Sequence, residues 1–119
     1  MTPVEAAKRV FDLRAFAAGD VEWTPWREGV DICRLYGDES SGRSAALLRY
    51  APNAEVPLHE HEGFEHIFVL AGAQEDARGV YPAGTMVVNP PGSRHTVRSP
   101  DGCTVLILWE RPVVILPST

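Results

Sequence analysis

Three histidines and one glutamate are spaced in this sequence so that they could bind a single metal ion. His59 and His61 are two residues apart, Glu65 follows four residues later, and His95 lies thirty residues after Glu65. On an extended strand, residues i and i+2 point to the same face, so the imidazoles of His59 and His61 can converge on one point. Imidazole and carboxylate groups are ligands for transition metals. We therefore predict a metal site formed by His59, His61, Glu65 and His95.

The ligand set also limits the choice of metal. Three neutral imidazoles and one carboxylate suit zinc, or else iron, manganese or nickel, whereas calcium and magnesium prefer oxygen ligands. Zinc held tetrahedrally by four protein ligands would form a closed site with a structural or sensing role. An octahedral iron, manganese or nickel ion would keep positions open for a substrate, and Glu65 would then be a candidate catalytic proton acceptor.

Other polar residues near these ligands are assigned to the surface. His66 has the opposite strand parity to Glu65 and should point away from the site. Arg94 has the opposite strand parity to His95, so it should also point away from the site. The acidic residues outside the motif are expected to form a solvated rim, and they are Glu55, Glu60, Glu62, Glu75 and Asp76.

The elements that must position the ligands are predicted to be short strands. Clusters of Gly, Pro, Asp and Asn divide the chain about every eight to twelve residues, which is typical of a sandwich or barrel. We predict an all-β jelly-roll barrel in which residues 62–63 form a tight turn and the following strand pairs back on the preceding one. The predicted strands cover residues 30–36, 44–50, 56–61, 64–70, 85–89, 95–98 and 105–109.

Two further predictions concern the N-terminus and the core. The sequence Thr-Pro-Val-Glu at residues 2–5 has the pattern of a capping box with proline at the first helical position, which predicts a short helix over residues 2–9. Cys33 and Cys103 fit no metal or disulfide pattern and are predicted to be small core residues. Alternate strand residues should line the barrel interior around the metal. Candidates for this wall are Leu48, Tyr50, Ile67, Val69, Met86 and Trp109.

Length and charge exclude several classes of function. A chain of 119 residues suits one domain, so we predict a single domain over residues 1–119, with metal motifs at 59–72 and 84–95 and an N-terminal arm at 1–26. The net charge of −5 argues against a nucleic-acid partner. No apolar run is long enough to span a bilayer and no secretory signal is visible, so we predict no membrane association and a cytoplasmic location.

The ligands together with three glycines resemble the two-part signature of the cupin superfamily. This resemblance covers about residues 42–110 and implies a cupin jelly-roll barrel, also called a double-stranded β-helix, with a metal inside. The glycines stand seven residues after Glu65, six before Pro90 and three before His95, and they are Gly72, Gly84 and Gly92.

Two positions depart from the cupin pattern, and neither is a predicted ligand. Asn53 stands where the family has glycine, and Ser99 stands where the family has asparagine. Asparagine tolerates a left-handed backbone better than other non-glycine residues, so we expect the turn at Asn53 to be kept.

Segments beyond the metal motif resemble the cupin domain of ChrR-type anti-sigma factors, over about residues 22–112. That resemblance implies zinc binding through the four predicted ligands. The sigma-inhibiting module of such proteins is a separate N-terminal helical zinc domain, which we do not expect here because no histidine precedes residue 59 and Cys33 is the only thiol in that region. The segments that carry the resemblance are WTPW at 23–26, LLRYAPNAEVPLHEH at 47–61, GFEHIFVLAG at 63–72 and PDGCTVLILWE at 100–110.

Two main functions stay open at this stage. The first is a small metal-binding protein with a ligand-sensing or accessory role, which the ChrR resemblance favours. The alternative is a non-haem metal-dependent dioxygenase acting on a small diketone or hydroxyketone, because single-domain cupins similar to this one include such activities. An isomerase would need an acid and a base near its substrate, and the sequence offers no such pair beyond Glu65.

Two partners are expected with either function, a small-molecule ligand and a second copy of the chain. Cupins of this type commonly pair through the edges of their barrels, and exposed strand edges need covering. We therefore predict a homodimer. Its contacts are expected from the apolar segments at residues 10–26 and 113–116.

Overall fold

The computed structural model describes residues 8–117, in which one short helix accompanies ten strands. The all-β prediction is thus confirmed. No helix in this range is long and apolar enough to cross a membrane. In chain order, the elements are α1 (Leu13–Ala17), β1 (Thr24–Arg27), β2 (Val30–Tyr36), β3 (Ser44–Tyr50), β4 (Ala54–His61), β5 (Glu65–Asp76), β6 (Gly79–Pro82), β7 (Met86–Asn89), β8 (Arg94–Ser99), β9 (Cys103–Trp109) and β10 (Val113–Ile115).

The strands form one antiparallel sheet that curls into two facing walls. Its order is β1-β2-β3-β9-β5-β8-β4-β10, with β6 and β7 paired to β5. The twelve-residue strand β5 belongs to both walls. Its first half pairs with β7 and β9, and its second half pairs with β6 and β8. The first wall therefore contains β1, β2, β3, β9 and β7, and the second contains β10, β4, β8 and β6.

The predicted hairpin at residues 62–63 is wrong. β4 pairs with β8 and β10 and not with β5. The chain crosses at this point from the second wall to the first, so β4 and the start of β5 face each other across the interior. Gly63 makes the crossing possible, because a Cβ there would lie 2.8 Å from the Cβ of Glu110.

The seven predicted strands are all present, and β2 and β3 have the predicted bounds. Strands β1, β6 and β10 were not predicted. The N-terminal helix falls mostly on residues 2–7, outside the described range, and Lys8 and Arg9 are not helical. The observed helix α1 begins instead after Asp12, whose carboxylate accepts a hydrogen bond of 2.9 Å from the Arg14 backbone N–H.

The core lies between the two walls and contains most of the predicted interior residues. Leu48, Tyr50, Ile67, Val69 and Trp109 are all buried. Met86 was placed wrongly, since its side chain is 52% exposed. The neighbouring residue Val87 packs on the core instead, because successive residues of a strand point to opposite faces. Cys103 is buried as predicted, and Cys33 is half-buried.

The two departures from the cupin pattern contact each other. Asn53 has a φ of 68°, so it keeps the left-handed turn as predicted. Its backbone N–H donates to the Ser99 carbonyl at 2.9 Å. Ser99 is fully buried, and its hydroxyl donates to the Ala73 carbonyl at 2.6 Å. Serine at this position therefore connects β8 to β5.

Candidate metal centre

The second wall brings the three predicted histidine ligands together. His59 and His61 lie on β4 with their side chains on the same inner face, and both are buried. β8 pairs with β4 so that His95 lies directly opposite His59. The ring centroids are 5.0 Å apart for His59 and His61, 4.6 Å for His59 and His95, and 4.7 Å for His61 and His95. One donor atom from each histidine lies within 4.8 Å of the other two.

Each of the three imidazoles is oriented by an oxygen at its Nδ1 atom. Nδ1 of His59 lies 2.8 Å from the Pro57 carbonyl, and Nδ1 of His61 lies 2.9 Å from the Ser93 hydroxyl and 3.1 Å from the Ser93 carbonyl. Carbonyl oxygens accept and cannot donate, so a neutral imidazole beside one carries its proton on Nδ1. The lone pair is then on Nε2, which is the atom left free to bind a metal.

His95 is oriented in the same way by Asp76. Nδ1 of His95 lies 3.0 Å from a carboxylate oxygen of Asp76, whose other oxygen accepts a 2.7 Å hydrogen bond from the Tyr81 hydroxyl. The Asp76 side chain is only 8% exposed, so its assignment to a solvated rim is wrong. Burial acts to raise the pKa of Asp76, but the hydrogen bonds from Tyr81 and His95 outweigh burial and lower it. Asp76 therefore stays anionic beside His95.

One of the free imidazole nitrogens is buried without a partner. Nε2 of His95 has no hydrogen-bond partner in the described part of the chain, whereas Nε2 of His61 lies 3.1 Å from a carboxylate oxygen of Glu65. A buried polar atom without a partner costs free energy, and native proteins seldom leave one unsatisfied. A metal ion that accepted the lone pair of His95 would remove this cost, so the histidines fit a metal.

Glu65 reaches the histidines from the opposite wall. It lies at the start of β5, between Asn89 on β7 and Trp109 on β9. Asn89 donates to one carboxylate oxygen at 3.0 Å, and the Trp109 indole N–H donates to the other at 2.7 Å. The first of these oxygens also lies 3.1 Å from Nε2 of His61. Glu65 thus lies close to one histidine of the group. Among the described residues, the group whose donor atoms all lie within 4.8 Å of one another consists of the three histidines.

The surroundings keep Glu65 anionic and His59 neutral. Burial acts to raise the pKa of Glu65, but the hydrogen bond and charge of His61 and the hydrogen bond from Trp109 outweigh it, so the pKa is lowered. Burial lowers the pKa of His59 to about 4. Metals bind the deprotonated forms of both side chains, so each is ready to coordinate at neutral pH.

A small cavity lies inside the barrel beside these residues. Its volume is about 20 Å³, which is room for about one water molecule. His59, His95 and Glu65 form one part of its lining, and most of the remainder is apolar or aromatic. Gln74 is the exception, since it brings an uncharged amide to the cavity.

His66 and Arg94 both lie outside the site, as the sequence predicted. His66 is half-buried on the other face of β5, with its ring 6.3 Å from that of Phe64. Arg94 is on the surface, where it donates to Glu60 at 2.8 Å.

Sequence reasoning missed several residues that hold the ligands in place. Ser93 lies only two residues before His95, and this short distance in sequence could have identified it as a residue near the site. The partners of Glu65 were harder to find, because Asn89 and Trp109 are its neighbours through strand pairing and not through sequence. Only the strand register reveals such partners.

A comparison with known families supports the fold. A family model described as the ChrR cupin-like domain matches residues 14–113. No curated protein sequence matches the chain.

Solved structures with the cupin fold are similar to this one. A protein of unknown function with a cupin-like fold from Ralstonia eutropha is 26% identical, with a TM-score of 0.68 and coverage of 76% of this chain and 65% of that chain. The anti-sigma factor ChrR, crystallised in complex with SigE of Rhodobacter sphaeroides, is 29% identical, with a TM-score of 0.66 and coverage of 80% and 54%. This chain thus spans about two thirds of the first structure and about half of the second.

A third structure shows the fold alone. An acetylacetone dioxygenase from Acinetobacter johnsonii is 15% identical, with a TM-score of 0.76 and coverage of 99% of this chain and 82% of that chain. The predicted cupin jelly roll is therefore confirmed, and so is the resemblance to ChrR-type cupin domains.

Proposed function

This chain belongs to the ChrR cupin-like domain family, and from that premise we propose that it binds a divalent transition metal through His59, His61 and His95. The observation that carries the proposal is the arrangement of the ring nitrogens. All three Nδ1 atoms face oxygen atoms, while Nε2 of His95 is buried without a partner among the described residues. Ring orientation by outer hydrogen bonds of this kind is the usual support for metal-binding histidines.

Glu65 is proposed as the fourth ligand. Its carboxylate is anionic, faces the histidines and already lies 3.1 Å from Nε2 of His61. A small movement of the carboxylate toward the other two histidines would complete the set. The hydrogen bonds from Asn89 and Trp109 would then steady the ligand, as outer partners of metal-bound carboxylates do.

A ligand-sensing or accessory role in the cytoplasm suits such a site best. A metal held by four protein ligands is closed, and closed sites are usually structural. The ChrR structure, at 29% identity, is a complex with a sigma factor, which supports a protein partner for this chain as well. A net charge of −5 makes direct contact with nucleic acid the less favourable reading.

Metal analysis tests the proposal. Untagged protein, purified without chelator or nickel resin, should contain close to one equivalent of metal per chain by plasma mass spectrometry. His59→Ala should remove most of this metal, whereas His66→Ala should keep it, because His66 lies on the other face of β5. Equal metal content in the two variants would overturn the ligand assignment.

The identity of the metal separates the two candidate roles. Zinc would favour the closed sensing or structural site, and iron, manganese or nickel would favour an open one. Glu65→Gln adds a second measurement. If Glu65 is a ligand, the affinity for metal should fall, and a variant with wild-type affinity would leave the three histidines as the whole ligand set.

A dioxygenase acting on a small diketone or hydroxyketone is the second candidate. One observation favours it: the group of closely spaced donor atoms contains the three histidines and not Glu65. A metal with only three protein ligands would keep coordination positions open for a substrate. A bound metal would supply Lewis-acid and dioxygen chemistry. Glu65, beside His61, would accept the substrate proton.

Two features of the chain place the dioxygenase second. The cavity of about 20 Å³ is much smaller than a diketone, and the lowered pKa of Glu65 makes it a weak base. We expect no oxygen uptake when iron-loaded protein is mixed with pentane-2,4-dione. Uptake that is lost in Glu65→Gln, at equal iron content, would establish the second candidate instead.

A further inference from the structure

Trp26 is the one described residue that lines three neighbouring cavities. The first is the interior cavity of about 20 Å³, which also reaches His59 and Glu65. The second, the outer cavity, has a volume of about 40 Å³ and is lined by Trp26, Trp109 and Val113 among others. The third is a surface hollow of about 700 Å³ between β1 and β4. The indole ring of Trp26 therefore lies where the interior of the barrel meets the space outside it.

The barrel is not closed by backbone hydrogen bonds at this point. β1 and β10 are the two ends of the sheet order, and they do not pair with each other. Trp26 from β1 and Val113 from β10 nevertheless line the interior and outer cavities together, so a seam runs between the two end strands. Side chains change rotamer much faster than paired strands separate. The seam can thus open without any loss of strand pairing.

A β-bulge directs Trp26 into this seam. In the pairing of β1 with β2, Pro25 and Arg27 each have a partner on β2, and Trp26 between them has none. The two partners are consecutive residues, Asp31 and Val30, so Trp26 is the extra residue of the bulge. Bulges are common at sheet edges, where they re-aim a side chain and leave the extra residue unpaired. Trp26 therefore packs on the core from a backbone position that strand pairing does not fix.

The contacts of the Trp26 ring are weaker than those of Trp109 beside it. Trp26 is only half-buried, and its indole N–H donates to Glu39 at 3.3 Å, which is long for such a bond. The same carboxylate oxygen accepts a shorter bond of 2.7 Å from Arg34. Trp109, in contrast, is buried, and its N–H donates to Glu65 at 2.7 Å. Of these two rings, Trp26 is the one that can turn outward at low cost.

We propose that Trp26 is a gate between the interior cavity and solvent, and that it opens when its ring turns out of the seam between β1 and β10. With the ring in place, the interior has room for about one water molecule. With the ring turned out, the interior joins the spaces outside it in one passage that leads to His59. This inference goes beyond the proposed metal site, because the gate is a property of the barrel itself.

The reactivity of His59 in the metal-free full chain tests the gate. Diethyl pyrocarbonate modifies neutral imidazoles, and mass spectrometry of peptides measures its rate at each histidine. Trp26→Ala should raise the rate at His59 about 10-fold or more, because an open state that occupies about 10% or less of the wild type then becomes permanent. The rate at His66 should not change, since His66 lies on the other face of β5.

Trp23→Ala is the matched control for Trp26→Ala. Trp23 is also half-buried, but the guanidinium carbon of Arg49 lies 4.6 Å from its ring centroid, and it lines none of the three cavities. Its loss should leave the rate at His59 unchanged. A thiol reagent adds a check on the core, because Cys103 is buried and should react no faster in either variant.

A second variant covers the case in which Trp26→Ala does not fold. Glu39→Ala removes the acceptor of the Trp26 N–H and leaves the core intact, since Glu39 is on the surface. Without this hydrogen bond the ring should turn out more often, so the rate at His59 should rise. The rate at His66 should again stay the same.

Three results would overturn the gate. The first is a wild-type rate at His59 in Trp26→Ala, or in Glu39→Ala where that variant replaces it. The second is an equal acceleration at His59 and Cys103, which would mean that the whole core had loosened. The third is acceleration by Val87→Ala and not by Trp26→Ala, which would place the entrance in the groove that Val87 and His95 line. None of these results depends on the proposed metal site, which the metal content tests separately.

Discussion

In each of the three histidines, the hydrogen bond at Nδ1 determines that the lone pair is on Nε2, the nitrogen that would bind a metal. Pro57, Ser93 and Asp76 each place an oxygen at one Nδ1 atom. Of these oxygens, the Asp76 carboxylate carries a full charge, and its hydrogen bond with His95 is therefore the strongest of the set. An anionic partner also raises the basicity of the imidazole lone pair.

Removing Asp76 should weaken metal binding without removing a ligand. We expect Asp76→Ala to lower the affinity for zinc about 10- to 100-fold, the usual effect of losing an outer partner of a metal-bound histidine. Competition with a chromophoric chelator measures this directly.

Glu75→Ala is the control for Asp76→Ala. Glu75 is the neighbouring residue on β5, but it pairs with Arg98 on the outer surface. Its removal should leave zinc affinity unchanged. Equal affinity in Asp76→Ala and the wild type would show that Asp76 does not support the site.

Asp76 also shows where residue-by-residue reasoning from the sequence fails. Asp76 is eleven residues after Glu65, so simple alternation puts the two side chains on opposite faces of one strand. The pairing of β5 with β9 is irregular between Val69 and Ala71. An extra residue at such a bulge reverses the parity of everything that follows. Asp76 therefore faces His95, whereas alternation within one short strand was enough to place His59 and His61 on the same face.

Strand β5 is the element on which both walls depend. It continues past Gly72 to Asp76, although a glycine in a strand would ordinarily suggest its end. Gly72 has a φ of +70°, and a Cβ built there would overlap the carbonyl oxygen of Gly102. The strand can thus bend toward the second wall only because this residue has no side chain.

Substitution of Gly72 should therefore be costly. We expect Gly72→Ala to lower the free energy of unfolding by more than about 3 kcal/mol, since the left-handed backbone costs about 1–3 kcal/mol and the overlap with Gly102 adds to it. Urea unfolding of the metal-free protein measures the change. Metal affinity should fall too, because β5 carries both Glu65 and Asp76.

Gly84→Ala is the matched control for Gly72→Ala. Gly84 has a φ of +93°, but a Cβ there would meet nothing within 4 Å. Its substitution should cost only the backbone strain, about 1–2 kcal/mol. If both variants lost the same stability, the close approach of Gly72 to Gly102 would contribute nothing.

The sequence likewise predicted some strands well and missed others. β2 and β3 were predicted with their observed bounds because each is a continuous run between clear turn residues. β1, β6 and β10 are only three or four residues long, and the first two contain proline, so no periodicity identifies them. The pairing of β4 with β8 was also hidden, since residues far apart in sequence determine it.

At the scale of the whole molecule, the N-terminal arm and the edge of the second wall are two of the regions in which the described residues expose apolar side chains. Near the N-terminus, Val10 is 82% exposed and Leu13 is 53% exposed. At the edge of the second wall, Leu58 and Val114 are 44% and 40% exposed. β10 is the last strand of the sheet, so its outer edge has no neighbour in the sheet order. Exposed edges and apolar patches of this kind are commonly covered by another chain.

The homodimer remains a prediction, and the edge formed by β4 and β10 is where we expect its contact. Wild-type protein should sediment as a dimer at micromolar concentration in analytical ultracentrifugation. Val114→Asp should shift it to the monomer, because a charge at the centre of an apolar contact is costly to bury. The metal content should stay the same, since Val113, and not Val114, lines the cavity.

Sedimentation of the wild type only as a monomer would contradict the dimer, whereas dissociation by Val10→Asp and not by Val114→Asp would place the contact at the N-terminal arm.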